Sequence, residues 1–312
     1  MSSSTETWEL KPIFTREILY SIEESLADDG EYIECRNSYG KTRKARNLVR
    51  ESKNKEREPW RAEFEQGIMF TREVTLRIFE AKGKADEFFP VMPSCKPIMD
   101  PKLTDMAIRS FLGRIVQDFE ASPEAAAMTD LIRTQLKGSA VDKVMGFGLG
   151  IPSNGCIEPP SQYFQHAAAI LVARAVREVS SAPKVDIIVQ DPGLRAIDRQ
   201  VLARFDIQVV HGYGAVGFTM IDENTIVLSH DPTFPLREII ADLARPALIS
   251  MARQDGQKRP YWADLDSVRS RKMLEEYHPV DLSLARDQQK AFPRNTWYIH
   301  KRHTKDEPYD CM

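Results

Sequence analysis

The sequence predicts an α/β protein, a Rossmann-like parallel sheet with helices on both faces. Three observations carry this. Between residues 143 and 251, short Val- and Ile-rich runs alternate with longer segments of helical apolar spacing. The first run ends in a glycine-rich turn, Gly146-Phe147-Gly148-Leu149-Gly150, and Asp-Pro pairs follow two later ones. With 312 residues, 42% hydrophobic and 29% charged, the chain is long enough for such a core plus an N-terminal accessory region and a C-terminal extension.

The elements follow in order. Residues 1–100 form the accessory region. Thr15 to Ala27 has helical spacing at Ile18, Leu19, Ile22 and Leu26, Tyr32 to Cys35 reads as a short strand, and Phe70 to Phe79 fits strand or helix. Prolines 90, 93, 97 and 101 mark a boundary near residue 100. The core spans 101–255. Leu103 to Phe119 and Pro123 to Leu136 are amphipathic helices, the second with Ser122 as cap and Glu124 in its first turn. Strands are expected at Lys143 to Phe147, Val185 to Val189, Ile207 to Val210 and Thr225 to Leu228. Helices are expected at Ser161 to Val179, Ile197 to Arg204 and Leu236 to Met251. Residues 256–312 form the extension, whose aromatic stretch Phe292 to Tyr298 is suited to docking back on the domain, whereas His300 to Lys305 reads as a basic tail.

The opening Met1 to Thr7 has neither a basic nor an apolar leader segment, and the apolar stretch Ala167 to Val176 is short and interrupted by Arg174. A cytoplasmic protein without a membrane partner is expected. The four cysteines, 35, 95, 156 and 311, are scattered, which fits idle thiols rather than a disulfide or zinc framework. A net charge of −3 gives no global reason for nucleic-acid binding, but Lys41 to Arg61 holds nine Lys or Arg against three Glu. That run is either a solvated linker or a phosphate-tracking arm, with Lys41, Arg43, Lys44, Arg46 and Arg50 as the contacts.

The glycine turn lacks the dinucleotide fingerprint, and no acid follows at the spacing that a ribose would need. It still lets a ligand approach backbone N–H groups closely at Gly148 and Gly150. Ser153, where the turn enters the next helix, is either a nucleophile near those groups or a turn serine. Asp191, the His211-Gly212-Tyr213 segment and Ser229-His230-Asp231-Pro232 fall at strand ends on the same rim. A triad of Ser153, His230 and Asp191 or Asp231, and a metal site from His211, His230, Asp191 and Asp231, are formal options without a supporting motif.

From Val141 to Met251 these residues resemble the sensitivity-to-red-light-reduced (SRR-like) domain family. The resemblance rests on the GFGLG strand-loop, Gln165 followed by small apolar residues, Asp191-Pro192 ahead of a helix with Asp198 and Leu202, and the strand running into Ser229-His230-Asp231-Pro232. The chain departs from the family in two places. Ser229-His230-Asp231 replaces a common Pro-His-Cys, and Arg245-Pro246 stands where Asn-Trp often follows a helix.

The family includes regulatory proteins, and it also includes fungal arginine-containing cyclodipeptide synthases, which are similar to class I aminoacyl-tRNA synthetases in their core. The acidic rim and basic arm resemble the latter branch. The resemblance implies condensation of arginyl-tRNA with a second aminoacyl-tRNA to a diketopiperazine. No ATP, metal or other cofactor is required, because the ester is already activated. It implies Ser153 as acyl acceptor and Asp191, Asp231 and Glu158 as a guanidinium clamp, with Gly148, Gly150, Tyr213 and His230 completing the substrate site. The basic arm would hold the tRNA. The competing expectation is a non-enzymatic SRR-like regulatory protein that uses the same crevice for a partner or small ligand.

Overall fold

The computed structural model describes residues 11–28, 30–48, 64–97, 101–154, 161–253 and 263–303. Helix α1 (Arg16–Ala27), capped by the Thr15 side chain, leads into a hairpin of β1 (Tyr32–Arg36) and β2 (Thr42–Arg46). The segment Phe70 to Phe79, which fitted strand or helix, is mainly helix: α2 (Glu73–Ala81) follows β3 (Phe64–Phe70), whose last residue is Phe70, and β3 pairs with β4 (Val91–Pro97). Next come α3 (Asp105–Glu120) and α4 (Pro123–Gln135), the latter capped by Ser122. The alternating core is β5 (Lys143–Phe147), α5 (Ser161–Val179), β6 (Asp186–Gln190), α6 (Ala196–Ala203), β7 (Ile207–Val209), α7 (Val216–Thr219), β8 (Thr225–Ser229), α8 (Leu236–Leu243) and β9 (Leu248–Ala252). The chain continues through α9 (Val268–Leu274), β10 (Tyr277–Asp281) and β11 (Asn295–His300).

One sheet of seven strands has the order β10-β11-β9-β8-β5-β6-β7. The five strands β5 to β9 are parallel, and β11 and β10 join antiparallel beyond β9. The expected α/β class is therefore what the chain adopts.

Two elements differ from expectation. The helix expected to reach Met251 stops at Leu243, because Pro246 lacks an N–H and disfavours helical backbone at Arg245. Leu248–Ala252 then forms a strand with every residue buried, so it lacks the alternation that would have marked it as one. The extension is likewise no appendage. Its aromatic stretch is strand β11, with Trp297 1% exposed, and His300 closes that strand. Arg302 in the expected tail donates to the Glu223 and Arg245 carbonyls.

Strand alternation sends Val144, Ile187, Val189, Ile226 and Leu228 into one core with residues of α3, α4 and α5. Met145, Phe147, Ile188, Val227 and Ile249 enter a second core with α1, α8 and the N-terminal residues Ile13, Phe14 and Phe88. Each fully buried aliphatic side chain contributes roughly 1.5–3 kcal/mol. The N-terminal residues thus supply the third layer over the sheet. Of the basic run, Lys41 to Arg46 lies in or beside exposed β2, while Arg50 lies outside the described residues. Cys35 is buried in the second core, which pushes its thiol up to about 11. Among the described residues, no helix is long and apolar enough to cross a membrane.

A buried ionic cluster ties the layers together. Arg269 of α9 holds Glu73 of α2 at 3.0 Å and also pairs with Asp242 of α8. Asp242 accepts the Ile13 and Phe14 N–H groups (2.7 and 2.9 Å), and Glu238 accepts that of Glu73 (2.7 Å). Burial pushes Glu238 from its ordinary 4.5 up to about 7. Between those values the folded chain keeps a proton that the unfolded chain releases, so the group's contribution to stability is complete below 4.5 and lost as pH rises through about 7. Glu238→Gln retains the acceptor for the Glu73 N–H and removes the charge. Denaturant midpoints should show the variant gaining on the parent by on the order of 2 kcal/mol from pH 5 to pH 8. A difference independent of pH would contradict a buried, ionising Glu238.

Candidate functional site

Register decides which loops meet. Phe147 pairs with both Gln190 and Ser229, so Gly148, Asp191 and His230 leave the sheet at one level. The chain runs from β5 outward to β6 and β7 on one side and returns to β8 on the other, which makes β5/β8 the topological switch point where open α/β sheets hold ligands. The loops after these strands touch: a Cβ at Gly148 would lie 4.0 Å from Pro232.

The described residues after β5, Gly148 to Asn154, are fixed by packing and hydrogen bonds. Gly146 leaves room for Leu149, whose Cδ1 folds back to 2.3 Å from where a Cβ would stand. Gly150 has φ 84° and would meet the Gln162 Cβ at 2.7 Å. The Gly148 and Gly150 N–H groups, which the sequence leaves open for a ligand, donate instead to the Gln190 carbonyl (3.1 Å) and the Asp191 carboxylate (3.2 Å). Tyr163 donates its hydroxyl to the Pro152 carbonyl at 2.9 Å, and burial raises that phenol to about 12. His166 is fully buried, which lowers it to about 4 and keeps it neutral. It approaches the Gly150 carbonyl through Nε2 at 3.1 Å, and its Nδ1 has no hydrogen-bond partner among the described residues.

Ser153 lies in a short 3₁₀ turn, fully buried. Its N–H and hydroxyl both donate to the Asp198 carboxylate, at 2.7 and 2.8 Å. Arg195 donates to the same hydroxyl oxygen (3.0 Å) and to Asn154 (2.7 Å). Asp198 also accepts the Arg195 N–H at 3.0 Å, capping α6. Ser153 therefore has a carboxylate partner and no exposed surface.

On the other side of the switch point, Asp231 has φ 48°, a left-handed conformation that aspartate and asparagine adopt more readily than other non-glycine residues. Its carboxylate is 43% exposed, with Oδ2 3.8 Å from the His230 Nε2. His230, 18% exposed, meets the Asn295 Oδ1 through Nδ1 at 2.8 Å. Nearby, Asp264 and Asp266 hold the buried Arg237 guanidinium at 3.2 and 2.8 Å. Burial, reinforced by the charges of Asp266 and Asp231, pushes Asp264 up to about 6 against the pull of Arg237.

Beyond β6 and β7 the rim is closed by partners. Asp191 also accepts the Gly193 N–H (2.9 Å), and Gln190 bridges the Gly214 carbonyl and Gly217 N–H. Glu23 of α1 accepts the Tyr213 and Ala215 N–H groups at 2.7 and 2.6 Å. Asp191, His211 and Tyr213 line a small polar cavity here, about 170 Å³. Glu158 lies outside the described residues.

The strand ends thus bring Gly148, Gly150, Asp191, Tyr213, His230 and Asp231 to one rim. No Ser153–His230 hydrogen bond joins the formal triad, since Ser153 is bonded to Asp198 and His230 to Asn295. Among the described residues, no three His, Cys, Asp or Glu side chains converge as metal ligands. Sequence reasoning did not single out Asn295, Arg195 or Glu23, each of which meets its partner across a long stretch of chain.

This is a doubly wound α/β protein whose strand-end loops meet at the β5/β8 switch point, the place where such sheets have their ligand crevice. Residues 115–251 match the model of the SRR1 domain, and the chain carries a domain of that family. A search of curated proteins found no match.

Replacing Ser153 by Ala leaves the buried Asp198 one donor short. The cost should be about 1–3 kcal/mol in a denaturant titration. An unchanged midpoint would show that the Asp198 cluster does not anchor this loop.

Proposed function

We propose that the chain is an arginine-containing cyclodipeptide synthase that condenses arginyl-tRNA with a second aminoacyl-tRNA. The observation that carries this reading is Asp231: at the switch point, with a left-handed backbone, it holds a half-exposed carboxylate beside the glycine loop, and such a carboxylate pairs with a cationic side chain. The Arg237 guanidinium between Asp264 and Asp266 is an internal instance of the same recognition.

The chemistry needs a proton carrier. In each of two aminolyses an amine nitrogen attacks an ester carbonyl, the C–N bond forms, the C–O bond to the tRNA ribose breaks, and one proton passes from nitrogen to the departing oxygen. The second aminolysis closes the ring. His230 is placed to take and return that proton through Nε2. Ser153, buried against Asp198, holds the loop that forms the opposite wall.

The β1–β2 hairpin fits the tRNA backbone. Register puts Tyr32, Glu34, Arg36, Thr42, Lys44 and Arg46 on one face, where Arg36 bonds Glu34 at 3.3 Å, and Ile33, Cys35, Arg43 and Ala45 on the other, from which Ile33 and Cys35 enter the core. Glu34 N donates to Ser25 of α1 at 2.7 Å, and the same helix carries Glu23 to the loop after β7, so one helix joins the ribbon to the strand-end rim. Lys41 pairs with Asp86, and the phosphate contacts are assigned to Lys44 and Arg46, which share the face turned away from the core.

Mass spectrometry of medium from an expressing host, and of purified protein supplied with charged bacterial and eukaryotic tRNA, should reveal an arginine-containing diketopiperazine that Asp231→Ala abolishes. Absence of product in both, from soluble protein, would overturn the proposal. Replacing Lys44 and Arg46 by Ala should reduce the slope of log affinity for tRNA against log salt by about 2. An unchanged slope would remove the ribbon from the interface.

A further inference from the structure

We infer that Asn295, delivered by the antiparallel strand β11, is a positioning residue that sets the tautomer of His230 and so makes Nε2 the proton-accepting atom of the crevice. The inference rests on the synthase reading for what the proton does, and on hydrogen-bond chemistry alone for where the proton sits.

The amide orientation of Asn295 follows from its partners. Its Nδ2 donates to the Ser229 carbonyl at 2.8 Å and to the Ser250 Oγ at 3.0 Å. A backbone carbonyl only accepts, so the nitrogen must face it and Oδ1 must face the imidazole. Oδ1 in turn only accepts, and it lies 2.8 Å from the His230 Nδ1. That nitrogen must carry the hydrogen, and neutral imidazole then presents its lone pair at Nε2, on the side of Asp231. Asn295 is 7% exposed, and Ser229 and Ser250 are fully buried, so solvent does not compete for these bonds.

The local backbone is consistent with a constrained pair. His230 precedes Asp231 at φ 48°, and Asn295 follows Arg294 at φ 62°. Arg294 is fixed on both sides, by its N–H to the Gln289 Oε1 at 2.7 Å and by its carbonyl to the Arg253 N–H at 2.8 Å. The two residues thus come from β8 and from β11, with β9 and its Ser250 between them. Asn295 lies beyond residues 115–251, so the family-matched segment does not by itself contain the group that orients its histidine.

The test is the ¹⁵N spectrum of the imidazole in the full-length protein, at a pH where His230 is neutral, assigned with His230→Gln. In the parent, Nδ1 should have the shift of a protonated nitrogen and Nε2 that of a bare one. Asn295→Ala should move the ring toward the opposite tautomer. Ser250→Ala, which removes one anchor of the amide without touching the histidine, should produce a smaller shift in the same direction and controls for folding. A parent ring protonated at Nε2, or an Asn295→Ala spectrum identical to the parent, would overturn the inference.

In the condensation assay Asn295→Ala should lower kcat by on the order of 10²-fold with KM for arginyl-tRNA little changed. Equal loss in kcat and binding would assign Asn295 a merely structural role. If the parent forms no diketopiperazine the synthase reading fails, and the spectra still decide the tautomer.

Discussion

Asp198 is the constraint on which the crevice depends. A carboxylate with no exposed surface is costly to bury unless donors surround it, and here three are supplied: the Ser153 N–H, the Ser153 hydroxyl and the Arg195 N–H. They come from the loop after β5 and the entry to α6, so the carboxylate locks two strand-end connections to each other. Asp191 repeats the link nearer the rim by holding both Gly150 and Gly193. The described residues of these two connections, as far as Asn154 on one and from Asp191 on the other, are therefore fixed to each other.

The same device, a buried charge satisfied by backbone or by an opposite charge, joins the SRR1 domain to its flanks. Glu23 carries α1 to the loop after β7, and Glu124 of α4 accepts the N–H groups of Lys290, Ala291 and Phe292 ahead of β11. Arg237 and Arg269 clamp the segment around α9 onto α8. Such contacts add less net stability than apolar packing of equal volume, but breaking one partner strands a charge, which fixes the register of the flanking segments. The N-terminal layer and the last strands are in this sense tied to the strand-end rim: one brings Glu23 to the loop after β7, the other brings Asn295 to His230.

Much of the core was legible because period and punctuation agree there. Lys143–Phe147 and Ser161–Val179 have the bounds that the pattern predicts, and the rim residues were found from the single rule that ligands meet strand ends. The rest was hidden for identifiable reasons. Leu248–Ala252 is buried on both faces and follows a helix of the same apolar character, so nothing local separated them. The expectation of open glycine N–H groups failed because their acceptors, Gln190 and Asp191, come from the neighbouring strand. The Asn295 bond to His230 joins residues 65 apart in sequence, which no spacing rule reaches. Asp198 was visible as part of a family pattern, yet its use as a clasp for Ser153 needed coordinates.

In the proposed function Asp231 reads a guanidinium on an aminoacyl-tRNA. The most direct test of that role is equilibrium binding of tRNA whose terminal amino acid is linked by a non-hydrolysable amide, so that affinity is measured without turnover. The account predicts that the parent binds the arginyl form more tightly than the alanyl form, and that Asp231→Ala equalises the two while retaining affinity for the tRNA body. Equal affinity for both forms in the parent would contradict it.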